Sequence, residues 1–125
     1  MATMMTLRAL TGDLRGQEFT IRGPARWVVG RSRSCRLRLP GDATVSRQHC
    51  LIELEGGSAW VQDLGSRNGT HLNGVKIVQF AVDWQPGLCR KLQDGDELQV
   101  CSHIFAVVVI SYTGATTPRP FGSPA

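Results

Sequence analysis

The stretch Gln48-His49-Cys50-Leu51-Ile52-Glu53-Leu54-Glu55-Gly56-Gly57-Ser58-Ala59-Trp60-Val61-Gln62-Asp63 sets the fold class. Two strand-like runs flank a glycine pair, and glycine supplies the positive φ that a tight hairpin turn requires. The same signals extend in both directions. Residues 5–10 and 18–22 alternate with period two, separated by turn chemistry at Thr11-Gly12-Asp13 and Gly16. Residues 26–30 and 36–39 are short strand candidates. Residues 97–101 and 104–110 close the chain. The last run is nearly all apolar, the pattern of a strand buried on both faces or lying at a sandwich core. Asn68-Gly69, Asn73-Gly74 and Asp94-Gly95-Asp96 mark further turns. No helical stripe appears. About ten short strands separated by turns predict an all-β sandwich or barrel, with Phe19, Trp27 and Trp60 in its core.

Composition narrows the function classes. The 125 residues suit one domain, and 42% hydrophobic content supports a packed core. No apolar run is long enough to span a bilayer as a helix, and the first ten residues lack the pattern of a signal peptide, so a cytoplasmic protein without a membrane role is expected. The four cysteines, Cys35, Cys50, Cys89 and Cys101, show neither Cys-x-x-Cys nor zinc-ligand spacing with histidine, and are expected as free thiols with no metal. The net charge is +4, placed unevenly. Residues 22–47 hold seven arginines (Arg22, Arg26, Arg31, Arg33, Arg36, Arg38, Arg47) against one acid, Asp42. That concentration gives one part of the domain a field that attracts anions.

The chemistry-bearing residues lie on separate turns. Arg31 follows Gly30 at a strand end, and its guanidinium can fork onto two oxygens of a dianionic phosphate. Ser46 offers a short hydroxyl donor, and Arg47 beside it either adds charge or points to solvent. Asn68 carries both amide donors and an acceptor, suited to gripping a peptide main chain. Asn73 can do the same or stabilise its own turn. A phosphothreonine needs this set, because it carries nearly two charges and three strong acceptor oxygens.

Gly30-Arg31, Ser46-Arg47-Gln48-His49, Asp63-Leu64-Gly65-Ser66-Arg67-Asn68-Gly69-Thr70 and Asn73-Gly74 resemble, in order and spacing, the forkhead-associated (FHA) domain family. The run from Leu92 to Leu98 is similar as well. The resemblance covers residues 4–112 and leaves residues 113–125, rich in Gly, Thr, Ser and Pro, as a flexible tail. It implies a sandwich of about eleven strands whose apical loops bind phosphothreonine peptides, in the manner of phospho-motif readers built on arginine. Carried over residue by residue, Arg31, Ser46 and Arg67 would contact phosphate, and Asn68 and Asn73 the peptide backbone. Gly30, His49 and Gly69 would support the loops. The implied partner is a Thr-phosphorylated protein or peptide downstream of a Ser/Thr kinase, with no cofactor and no catalysis. Thr44 stands where some members place an arginine that selects an acidic residue after the phosphothreonine, so the downstream preference is open.

Other function classes fit less well. Ser46, His49 and Asp63 could be arranged as a hydrolase triad, but there is no Gly-x-Ser-x-Gly elbow. The arginines could meet nucleic acid, but interleaved aromatics or a recognition helix are missing. The alternative within the family is a scaffold for phosphate-independent assembly, using the long segment 78–87 with Phe80 and Trp84. His71 and His103 are expected to be solvated or at the core edge. Thr116, Thr117 and Ser123 are candidate phosphorylation sites.

Overall fold

The computed structural model describes residues 2–77 and 89–112. Segment 78–87 and the stretch 113–125 therefore lie outside the described residues, and so do the expectations placed on them. Eleven strands are described: β1 (Ala2–Ala9), β2 (Glu18–Arg22), β3 (Ala25–Gly30), β4 (Leu37–Arg38), β5 (Cys50–Glu55), β6 (Ser58–Asp63), β7 (Thr70–Leu72), β8 (Val75–Lys76), β9 (Arg90–Leu92), β10 (Glu97–Val100) and β11 (His103–Tyr112). One 3₁₀ turn, Gly12–Leu14, joins β1 to β2. A six-stranded sheet has the order β2-β1-β11-β10-β7-β8, and a five-stranded sheet the order β4-β3-β5-β6-β9. This is the expected two-sheet β-sandwich.

Alternation builds the core between the sheets. Met5, Leu7, Ile21, Phe105 and Val107 from one sheet meet Val29, Ile52, Leu54 and Val61 from the other, all essentially shielded from solvent. The hairpin at the centre of the second sheet has the expected register: Glu55 pairs with Ser58 across Gly56 (φ 59°) and Gly57 (φ 83°). Two consecutive positive φ angles give the primed turn whose twist matches the strands. Asn73 (φ 52°) and Gly74 (φ 82°) make an equivalent turn between β7 and β8.

Of the two settings open to the apolar run 104–110, β11 takes the one at the sandwich core: Phe105 and Val107 point inward, whereas Val108 and Ile110 are 43% and 41% exposed. β11 is central in its sheet, between β1 and β10, but nothing among the described residues covers its outer face fully. The expectation of a core Trp60 needs correction: it is half-buried and outside the core cluster, on the outer face opposite Glu53 and Lys91, while Phe19 and Trp27 do pack against the core. All four cysteines are free thiols, as expected, with Cys35 and Cys50 buried.

The one-sided burial of β11 is open to a direct comparison. Val107→Thr is expected to cost about 1–3 kcal/mol by burying a hydroxyl without a ready partner. Val108→Thr, one residue along, should stay within about 0.5 kcal/mol. Urea unfolding of the two variants checks this, and equal losses would contradict the one-sided burial.

Candidate functional site

Three segments converge at one end of the sandwich: the turn after β3, the long connection from β4 to β5, and the turn between β6 and β7. Gly30 sets the first junction. A Cβ placed there would lie 2.2 Å from the Arg47 carbonyl oxygen and 3.0 Å from Cys35 Sγ, so only glycine permits the approach. The approach is fastened by hydrogen bonds. Arg31 N donates to Ser46 O at 3.1 Å, Ser32 N donates to Arg47 O at 3.1 Å, and the Cys35 thiol donates to Arg47 O at 3.0 Å. Burial pushes the Cys35 thiol up from its ordinary value, which keeps its proton in place for that bond.

Buried His49 makes the second junction. Its Nδ1 accepts from Ser46 N at 3.1 Å, and its Nε2 lies 2.8 Å from Gly69 O. A carbonyl can only accept, and a backbone N–H can only donate, so the ring is the neutral Nε2–H form. Burial holds its pKa below the ordinary 6.5, with the Gly69 bond and nearby Asp63 opposing.

Asp63 makes the third. It is fully buried and accepts from Ser66 N (2.9 Å), Ser66 Oγ (2.5 Å) and Thr70 Oγ1 (2.6 Å), while Gly69 N donates to Ser66 Oγ at 2.9 Å. A buried carboxylate is tolerated because its oxygens are satisfied this way. The turn that carries Arg67 and Asn68 is thereby fixed at both ends.

These junctions bring the expected residues together. Arg31 is half-buried and donates from Nε to Val45 O at 3.1 Å. Its two Nη groups have no partner among the described residues. Ser46 Oγ accepts from Arg67 N at 2.9 Å and keeps its own proton to donate. The Arg67 side chain is exposed. Asn68 Nδ2 donates to Thr44 O at 2.7 Å, leaving a carbonyl oxygen and a second N–H unengaged by described residues. Asp42 carries the Thr44 end of this arrangement. It accepts from Thr44 Oγ1 (2.5 Å) and Thr44 N (3.0 Å), and meets His103 Nε2 at 2.9 Å. The Thr44 bonds, followed by His103, hold its carboxyl below the usual value.

Asn73 is not brought to this cluster. It lies beyond the far end of β7, donating from Nδ2 to Asp96 Oδ1 (2.9 Å) and accepting from Glu97 N (2.8 Å). Of the two roles open to it, these contacts are those of turn support. The hydrolase arrangement is not formed either, since His49 faces the Ser46 backbone N–H rather than its hydroxyl, and Asp63 serves Ser66 and Thr70. Sequence reasoning did not single out the Asp63-Ser66-Thr70 brace. Its signal was available in the Asp-x-x-Ser spacing, which places a hydroxyl and a backbone N–H within reach of the carboxylate.

The family model for the FHA domain matches residues 27–101. This chain belongs to the FHA-domain family. Among curated relatives, FhaA of Mycobacterium tuberculosis is 33% identical over 98 residues, covering 78% of this chain and 16% of that protein. The glycogen accumulation regulator GarA of Mycolicibacterium smegmatis is 44% identical over 59 residues, covering 47% of this chain and 31% of GarA. The E3 ubiquitin-protein ligase CHFR of Xenopus tropicalis is 42% identical over 55 residues, covering 42% of this chain and 9% of the ligase. The chain thus matches only a minor part of each of these relatives. Among solved structures, an FHA domain studied for phosphothreonine-dependent interactions superposes with a TM-score of 0.68 at 30% identity, covering 84% of this chain and 95% of that one. The FHA domain of FhaA, solved in complex with the intracellular domain of a partner, gives 0.66 at 31% identity, covering 82% and 98%.

Two outcomes follow from the FHA loop junctions. Gly30→Ala is expected to cost about 1–3 kcal/mol, because the methyl group meets backbone that is itself hydrogen-bonded. Chemical denaturation measures it, and a neutral result would contradict the close approach. His49 has a folded pKa below its unfolded one, so its contribution is complete above about pH 6.5 and falls away as pH drops through that value. The Asp42 contribution is lost only at lower pH, below the ordinary carboxylate value of 3.8. Thermal unfolding between pH 7.5 and 5 should show declining stability in the native protein and a flatter profile in His49→Gln. Identical profiles would contradict the buried neutral imidazole.

Proposed function

We propose that this FHA domain binds phosphothreonine-containing segments of partner proteins. The observation that carries the reading is the joining of Arg31, Ser46, Arg67 and Asn68 at one apex. Arg31 N is bonded to Ser46 O, and Ser46 Oγ is bonded to Arg67 N. A guanidinium with two uncommitted Nη groups and a hydroxyl with a free proton are donors suited to a dianionic ester. Asn68, tethered through Thr44, offers its remaining amide groups to the peptide main chain beside it. Asn73 fixes the neighbouring turn. The solved FHA relative studied for phosphothreonine-dependent interactions supports the same assignment.

In this reading the domain binds and does not catalyse. It acts downstream of a Ser/Thr kinase in the cytoplasm, and its ligand is protein rather than nucleic acid or membrane. Phosphothreonine is preferred over phosphoserine through its extra methyl, worth about 1–3 kcal/mol in a fitted site.

Fluorescence anisotropy with one labelled peptide in phosphothreonine, phosphoserine and unmodified forms tests the proposal. Phosphothreonine should bind best and the unmodified form negligibly. Arg31→Ala should weaken phosphopeptide binding by about 100-fold or more, the range for removing one partner of a close charge pair. Arg31→Lys should recover little, because an ammonium lacks the fork. Both variants should unfold near the native temperature. Equal affinity for the three peptides would overturn the reading.

A further inference from the structure

A groove of about 760 Å³ lies on the flank of the sandwich, between β2 and β3, and is closed on one side by the turn after β3. Three arginines line it: Arg22 from β2, Arg26 from β3 and Arg36 from the turn. Only Arg26 has a carboxylate, Glu53 on β5, at 3.0 Å. Arg22 and Arg36 have no acidic partner among the described residues. The Arg36 guanidinium lies 5.1 Å from the centre of the Trp27 ring. Trp27 is half-buried and packs against the core, so it gives Arg36 a rigid platform while the edge N–H groups of the guanidinium stay available.

The groove begins at the turn that carries Arg31. Ser34 lines it, and the Ser34 hydroxyl contacts that of Ser32, next to Arg31, at 3.0 Å. From Gly30 to Arg26 the strand advances about 13 Å, a span that four or five extended residues cover. A polypeptide anchored at the apex can therefore reach the groove without a long linker.

We propose that this groove is a second anion-binding subsite, which takes a run of Asp or Glu side chains on the phosphorylated partner, about four to six residues from the phosphothreonine. The inference rests on the phosphothreonine reading for its anchor. The unpaired cations supply charge complementarity to an acidic segment. Nucleic acid fits less well, because base stacking needs an open aromatic face, and Trp27 has core packing and Arg36 against it. Tethering turns weak exposed ion pairs into a gain, since the second contact forms within a complex already made.

The test compares a minimal phosphothreonine peptide with versions carrying four glutamates, placed four to six residues before or after the phosphothreonine. One extended version should bind about tenfold more tightly than the minimal peptide, the sum of a few exposed ion pairs. In the double variant Arg22→Ser, Arg36→Ser that gain should vanish, while the minimal peptide binds within about twofold of its native affinity. No gain in the native protein, or a gain that persists in the variant, would overturn the proposal. A second arm needs no phosphate. An unphosphorylated glutamate-rich peptide should shift the Trp27 indole N–H resonance in the native protein. A single-stranded oligonucleotide that shifts this resonance while the glutamate peptide leaves it still would also overturn the proposal. If the minimal phosphopeptide fails to bind but the glutamate peptide shifts Trp27, the apical reading fails and the groove assignment stands.

Discussion

A neutral imidazole at the centre of the apex holds the rest in place. His49 connects the amide of Ser46 on one loop to the carbonyl of Gly69, the residue after Asn68, on another. Neither loop has a strand ladder to fix it. Both take their position from this ring, the Ser46 loop also from the bonds of Arg31 N and Ser32 N to its carbonyls, and the Gly69 loop from the buried Asp63 brace. The arrangement depends on low dielectric: burial keeps the ring uncharged, and an uncharged ring can accept at one nitrogen while donating at the other. Rigid support of this kind lets exposed donors meet an anion with little ordering cost at the moment of binding.

The sandwich beneath contributes precision rather than chemistry. Gly30 allows β3 to end against the Arg47 carbonyl, which positions Arg31 beside Ser46. Without that contact the same side chains would project from unconnected loops. Membership of the FHA family fixes the fold, while the binding role is argued from these named contacts, because fold and site are separate claims. The arginine-lined flank extends the same logic, placing further cations within reach of one ligand chain.

Much of the fold was legible because its strongest signals were local. Gly56-Gly57 between two apolar runs specified a hairpin, and both glycines carry the positive φ that the turn demands. β7, β8 and β9 carry no strand signal in the sequence, since two or three residues are too few to show a period. For β11 the sequence leaves two settings open, because Val108 and Ile110 are apolar where alternation would place polar groups, and only topology reveals which side they occupy. Trp60 likewise reads as a core residue in its apolar run, and only the pairing of β6 with β5 and β9 reveals that it faces outward. At the site, Arg31, Ser46 and Asn68 were legible from ordered short motifs, whereas the contacts of Asn73 were not, because Asp96 and Glu97 reach it only through the pairing of β7 with β10.

The central claim is that an anion held at the apex touches the Arg31 turn, Ser46 and the Arg67-Asn68 turn together. Amide NMR of the labelled domain, titrated with a phosphothreonine peptide and then with its unphosphorylated twin, measures this directly. The largest shifts are expected at Arg31, Ser46, Arg67 and Asn68 with the phosphorylated peptide, and small shifts there with its twin. Largest shifts on the outer sheet faces, or the same pattern from both peptides, would contradict it.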